Sequence, residues 1–462
     1  MRDSQAAAIA TNRFGLGARP GELAQLSGDP RGWLEAQLKG TPPVIPDQGL
    51  QGTATMVATI DKVRAQNRQR RATGPAIDAV VKLGELYRPA YVGEVTARVR
   101  LAATTDRPFL ERITQFWSNH FAVSVDKAIV LGVAGSYERE AIRPNVLGSF
   151  AQLLLAVERH PAMLLYLDNF RSVGPGSRLA GRAQERTGKA LGINENLARE
   201  IMELHTLGVN GGYSQADVTA FAKVITGWSI GAAGQGIAGG GVPGEFFFRT
   251  NIHEPGAQTV IGHRYGQDGQ AQGERVLLDL AANPATGQHI ATQLARHFIA
   301  DEPPPETVAR LARVFTRTAG DLPAVYRALV SEAAAWSQPL SKFKTPNDYA
   351  ISTWRALNLP IEDARTVPPI FAGLGQRVWS PNSPAGWPDR SADWDGASAL
   401  MQRLRWADQI GQRCGAGVNA LQLAQQILGE SLGENTRLAL TRAASAAQAL
   451  TLLLAAPEFM RR

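Results

Sequence analysis

Apolar residues recur at helical spacing through almost the whole chain, in short segments cut by proline and glycine. Spacings of three and four residues put side chains on one face of a helix. They predict helices over about 20–38 (broken near Gly28), 52–72, 76–104, 107–121, 136–158 (broken at Pro144), 161–167, 195–207 and 215–228. Further helices are predicted over about 272–283, 287–300, 305–317, 321–335, 346–357, 397–412, 418–428 and 439–455. Start signals agree in places. Asp106 precedes Arg107-Pro108, which puts proline in a first turn. Ser214, with Asp217 three residues on, forms a capping box. Only residues 245–262 (EFFFRTNIHEPGAQTVIG) read as β, with two extended runs about the turn Glu254-Pro255-Gly256. The expected fold is mainly α, a multi-helical assembly with one small β-hairpin at about 245–262. One large helical domain over 1–462 is expected, and the hairpin is where it would divide into lobes, 1–244 with the acidic motif and 245–462 with the C-terminal helices.

At 44% hydrophobic and 19% charged, the composition is that of a soluble globular protein. No apolar run approaches the roughly 18 residues that span a bilayer, so no membrane span is expected. The opening MRDSQAAAIATNRFGLGARP has no charged segment followed by an apolar one. The expectation is a protein that is cytoplasmic or co-exported with a partner. A single cysteine, Cys414, excludes an intrachain disulfide. The net charge of +7, carried mostly by arginine, favours an anionic polymer or glycan as ligand. Nucleic acid is not expected, because zinc-finger spacing and aromatic-basic motifs are missing.

The chemistry-bearing stretch is ENLAREIMELHTLGVNGGYSQADV, residues 195–218, closed by Trp228. On a wheel turning roughly 100° per residue, Glu200 falls between Leu204 and Leu207, inside the apolar arc, and Glu203 borders it. Their Cβ atoms would stand about 5–6 Å apart. Two desolvated carboxylates at that distance do not both ionise comfortably. Such a pair can supply a general acid beside a base or nucleophile. It can also begin a metal site, or be neutralised by arginine in a structural network. His205 falls away from the pair. His120 lies between Ile113 and Phe116 on the apolar arc of the helix 107–121, as a buried neutral imidazole or as an acid/base group at a pocket mouth. No cofactor and no metal is identified by spacing.

Two glycine-rich loops, 170–193 and 229–244, flank the acidic stretch and read as mobile lids. The first carries Arg178, Arg182 and Arg186, suited to an anionic substrate. Trp228 and His253, the latter beside the hairpin turn, are further substrate-binding candidates. Trp387 stands in an irregular segment, where a tryptophan can stack on a sugar ring or fill a core gap.

The chain resembles the bacterial family called domain of unknown function 1800. The resemblance lies in NRFGLGARPGE (12–22), FWSNHF (116–121), the 195–218 stretch, ITGW (225–228), HEPG (253–256) and PAGWP (384–388), and covers essentially the whole chain. It implies a partner more than an activity: relatives are often exported and often paired with a sulfatase-like partner. The residues themselves favour a hydrolase or lyase acting on a polysaccharide or envelope polymer, with Glu200 and Glu203 as the acid/base or acid/nucleophile pair and His120 assisting. The alternatives are a non-catalytic scaffold or chaperone for an exported sulfatase-like protein, in which the same polar groups hold helices in register, and a metal-dependent oxidoreductase.

Overall fold

The computed structural model describes residues 3–46, 49–73, 83–188, 190–231, 240–337 and 340–462. Among them are 23 α-helices and two two-stranded antiparallel sheets, so the chain is mainly α. Buried apolar side chains from Ala7 to Met460 form one continuous cluster. No helix among the described residues is long and apolar enough to cross a membrane.

The helices that position the site begin where the local chemistry directs them to. Pro108–His120 starts on the proline after Arg107, which needs no amide partner in a first turn. Pro284–Phe298 starts the same way, with the Asn283 side chain accepting from the Ala285 amide. In Pro346–Leu357 the Thr345 side chain accepts from the Asp348 amide. Each is a proline-led helix with a sharply placed first turn.

Three five-residue π segments interrupt the α geometry: Ala10–Phe14, Glu138–Ile142 and Ile201–His205. A π turn carries one more residue per hydrogen-bonded ring than an α turn, and it re-aims the side chains beyond it. The stretch 136–158 breaks at Pro144 as expected, and the π segment divides it further. Ala134–Tyr137 runs into the second π segment, Arg143–Asn145 is a 3-10 turn at Pro144, and Phe150–Glu158 restarts on the capping box of Ser149 and Gln152.

Residues 228–265 carry all four strands. β1 (Trp228–Ile230) pairs with β2 (Phe246–Phe248), and β3 (Gln258–Val260) pairs with β4 (His263–Tyr265). The hairpin proper is β3–β4. Its turn lies at Ile261-Gly262, both with positive φ (46° and 74°), the backbone that a two-residue hairpin loop requires. The Glu254-Pro255-Gly256 corner joins the two sheets instead of pairing β2 with β3.

Of the two expected loops, the first contains a helix, Arg178–Thr187, capped by Ser177 and ended by Gly188 at φ 64°. Arg178, Arg182 and Arg186 sit on it, exposed, at successive turns. Residues 232–239 of the second loop lie outside the described residues, and its flanks are tied into β1 and β2.

Candidate functional site

Two helices turn polar faces toward each other. Pro108–His120 presents Arg112, Gln115, Phe116, Asn119 and His120, and Pro284–Phe298 presents His289, Gln293, Arg296 and His297. Both sets follow the three- and four-residue spacing of one helix face. Between them, closed by the start of Pro346–Leu357 and by residues 376–393, lies a cavity of about 350 Å³. That is the size of a small-ligand pocket.

The segment 116–121 builds one wall, and Trp117, Ser118, Asn119 and His120 each have an anchor. Trp117 Nε1 donates to the Tyr326 hydroxyl at 2.6 Å, and Ser118 Oγ donates to Glu138 Oε2 at 2.8 Å. Asn119 Nδ2 donates to the Trp387 carbonyl at 2.9 Å, while its Oδ1 accepts from the Trp387 amide at 2.8 Å. His120 Nε2 donates to the His205 carbonyl at 3.2 Å. From the opposite helix, His289 Nε2 donates to the Leu204 carbonyl at 3.0 Å. These carbonyls end the π segment Ile201–His205, and the last carbonyls of a helix have no partner inside it. Two imidazoles supply the missing donors.

A chain of buried charges runs along the cavity floor and beneath it. Arg112 Nη1 is 3.1 Å from Asp348 Oδ1, and Arg462 Nε is 3.0 Å from Asp348 Oδ2. Arg462 Nη2 is 3.1 Å from Asp389 Oδ1, and Lys342 Nζ is 3.1 Å from Asp301 Oδ1. His297 Nδ1 lies 2.9 Å from Asp389 Oδ2, with the imidazole side chain 15% exposed. Burial pushes Asp389 upward, but His297, Lys342 and Arg462 outweigh it and hold the carboxyl well below the usual range. Burial drives His297 the other way, down to about 4 against the pull of Asp389. At neutral pH the arrangement is therefore an ionised Asp389 accepting from a neutral His297. Its Nε2 is left bare, buried and without a hydrogen-bond partner among the described residues. His120 and His289 are held neutral as well, in both cases by burial first.

Most cations of the cavity wall are spoken for. Arg98 pairs with Glu138, Arg112 with Asp348, Arg377 with Asp126 and Arg390 with Glu302. Arg296 is different. Its Nε makes a long bond of 3.4 Å to the Asp301 carbonyl, and among the described residues no carboxylate faces it. It is the open positive charge of the cavity.

Of the residues singled out in the sequence, His120 and Trp387 line this cavity, and Glu200, Glu203, Arg178, Arg182, Arg186, Trp228 and His253 do not. Glu200 and Glu203 are brought together on a half-buried flank, where Tyr213 hydroxyl donates to Glu203 at 3.5 Å. Burial raises the Glu200 carboxyl, with His205 opposing and Glu203 adding to the rise. Arg199 bonds Glu195 and Gln215 and acts on Glu200 only as a nearby charge, opposing the rise without cancelling it. Trp228 is fully buried against Phe246. His253 is buried, with Nδ1 donating to the Thr226 carbonyl at 2.9 Å. Its neighbour Glu254 reaches back to accept from the Gly176 amide at 2.7 Å, which anchors the segment before the arginine helix. Among the described residues no three His, Cys, Asp or Glu side chains group closely enough to hold a metal ion.

His297, Asp389 and Arg296 were not legible as a site from sequence. His297 and Asp389 are 92 positions apart, and Asp389 sits in an irregular segment with no period to place it. The available signal was the polar stripe His289, Gln293, Arg296 and His297 along an otherwise apolar helix.

Residues 9–461 match a family whose description reads "Protein of unknown function (DUF1800)". The chain belongs to this family. No match is found among curated proteins or among solved structures. Within the family's span, FWSNHF, the Leu204–His205 turn and PAGWP, far apart in sequence, meet at one cavity.

Proposed function

We propose that the cavity is an active site and the protein a hydrolase or lyase acting on an anionic polymer, a carboxylated or sulfated glycan of the envelope being the class that fits. The observation that carries this reading is the His297–Asp389 pair, 2.9 Å apart, with an unpartnered Nε2. A carboxylate on Nδ1 fixes the tautomer and orientation of an imidazole whose Nε2 can then take a proton. Arg296 is the group to hold the substrate anion, as a planar fork matched to carboxylate or sulfate. A bound anion beside the ring would raise His297 from about 4 toward neutrality, so the base would strengthen as the site fills. His120, with Nε2 engaged at the His205 carbonyl, offers Nδ1 as an acceptor for a sugar hydroxyl. Trp387 offers a ring face.

The test is incubation with a panel of uronate- and sulfate-bearing oligosaccharides, with products read by mass. Added water marks a hydrolase, and an unsaturated product of unchanged total mass marks a lyase. His297→Gln and Asp389→Asn are expected to lower kcat by about 10²–10⁴-fold, and Arg296→Gln to raise KM. Wild-type turnover by His297→Gln would remove the proposal. Glu200→Gln in the same assay separates this cavity from the acidic flank, where the raised carboxyl is an acid/base candidate of its own.

One observation favours a scaffold reading. His120 and His289 both act as caps on a helix end, which is a structural task. Under that reading His297→Gln would leave binding to a co-expressed sulfatase-like partner intact and no oligosaccharide would be turned over.

A further inference from the structure

The guanidinium of Arg462 reaches three groups around the cavity, and its side chain is only 1% exposed. Its Nη1 donates to the His297 carbonyl at 2.8 Å, its Nη2 lies 3.1 Å from Asp389 Oδ1, and its Nε lies 3.0 Å from Asp348 Oδ2. One planar fork therefore touches both members of the His297–Asp389 pair, the first through its backbone and the second through its carboxylate. The third contact ties it to Asp348, which Arg112 holds from the helix Pro108–His120. The residue itself is held by backbone. Arg462 N donates to the Lys342 carbonyl at 2.8 Å, Lys342 N donates to the Arg462 carbonyl at 3.0 Å, and Lys344 N donates to the Met460 carbonyl at 2.8 Å.

We infer that Arg462 is the positioning residue of the site: it sets the distance and the mutual orientation of His297 and Asp389. The inference rests on the reading of the cavity as an active site. Two hydrogen bonds, from Nη1 and Nη2, and an ion-pair contact at Nε, all set in one plane, cannot be reproduced by an ammonium, so lysine is not equivalent here. The charge matters separately. The groups facing His297 are Asp389 on its Nδ1 side, Arg462 and Arg112 as nearby cations, and Lys342, Asp301 and Asp348 behind them. Asp389 favours the imidazolium, and Arg462 opposes it. Removing the Arg462 charge takes away opposition while Asp389 stays ionised through Lys342, so the proton affinity of His297 must rise.

The experiment uses the full chain labelled with ¹⁵N-histidine, with His297→Gln to assign the resonance. The imidazole is titrated by NMR in the parent, in Arg462→Gln and in Arg462→Lys. The expected result is an acid midpoint near 4 in the parent, a rise of about tenfold in proton affinity in Arg462→Gln, and a smaller rise in Arg462→Lys. Where the parent turns over an oligosaccharide, the acid limb of its pH profile moves the same way, and Arg462→Lys lowers kcat more than it raises KM. The titration needs no substrate, so it separates the two ideas. If no glycan is cleaved but the His297 midpoint moves, the proposed activity fails and the positioning role stands. If Arg462→Gln folds and leaves the midpoint and the Nδ1/Nε2 tautomer of His297 unchanged, the inference is overturned. If Arg462→Gln does not fold, Arg462→Lys decides by the same readout.

Discussion

Asn119 and Gly386 fasten two distant segments to each other. Gly386 has φ 80°, and a Cβ built on it would stand 2.3 Å from the Asn119 carbonyl oxygen. The backbone conformation and the space both require glycine there. Gly386→Ala is expected to destabilise by more than about 1 kcal/mol and to move Trp387, whose amide and carbonyl bond the Asn119 side chain. Urea denaturation followed by tryptophan fluorescence measures both, and an unchanged midpoint would show that the close approach relaxes freely. At this scale the sequence was informative where a residue's setting is local. His120 on an apolar arc and Trp387 between Gly386 and Pro388 both reach the cavity. It was silent where the setting is made by a distant partner, as for His297. Nothing in residues 284–298 announces that an aspartate from an irregular segment will sit on Nδ1.

The element that most changed the picture is the turn Ile201–His205. A wheel at a constant roughly 100° sends His205 away from the acidic residues. The π segment turns less per residue, so His205 swings inward, where its Nδ1 lies 2.7 Å from Glu158 and its ring 6.3 Å from that of His120. No composition rule marks such an insertion, which is why the helix was legible and its facing was not. The same turn leaves the Leu204 and His205 carbonyls to be capped by side chains. His289→Ala is therefore expected to cost about 1–3 kcal/mol, the penalty for a buried acceptor left unpaired, and His289→Gln to recover part of it through its amide. Equal stability of the alanine and glutamine variants would show that the cap contributes nothing. The capping box, by contrast, was fully legible. Ser214 Oγ accepts from the Asp217 amide at 3.2 Å and Asp217 Oδ2 accepts from the Ser214 amide at 2.8 Å. The structure adds that Asp217 Oδ1 accepts from the Ile261 amide at 2.6 Å, at the strained corner of the β3–β4 hairpin. Asp217→Ala is thus expected to cost more than Ser214→Ala, by about 1 kcal/mol on top of the about 0.5–2 kcal/mol of the cap. Identical unfolding midpoints for the two variants would mean that the hairpin contact adds nothing.

Across the whole molecule, several buried bases are desolvated and lose proton affinity on folding. His297 falls from 6.5 to about 4, and Lys344 falls from 10.5 to about 7. Burial is the largest cause for both. For Lys344 the nearby Arg112, Arg403 and Arg462 add to it, while Asp348 opposes; its Nζ donates to Ser352 Oγ at 3.1 Å and lies 4.4 Å from the Phe459 ring centroid. Where the unfolded chain binds more protons than the folded one, stability rises with pH. The His297 contribution is lost as pH falls from 6.5 to about 4, and the Lys344 contribution grows from about 7 to 10.5. Each has a slope of about 1.4 kcal/mol per pH unit within its window. Buried tyrosines set the other limit. Burial raises Tyr349 well above the usual tyrosine range, and burial with the Asp279 contact does the same for Tyr265, so above the ordinary tyrosine value of about 10 the unfolded chain sheds protons first and stability turns down. The expected outcome is a stability maximum on the alkaline side of neutrality, at about pH 8–10, with a steep loss on acidification. Chemical denaturation across pH 4–10 checks the shape, and Lys344→Met assigns the limb above neutrality by flattening it. A maximum near pH 6 in the parent, or an unchanged alkaline limb in Lys344→Met, would mean that Lys344 keeps its proton in the folded protein and that the attraction of Asp348 outweighs burial and the three arginines.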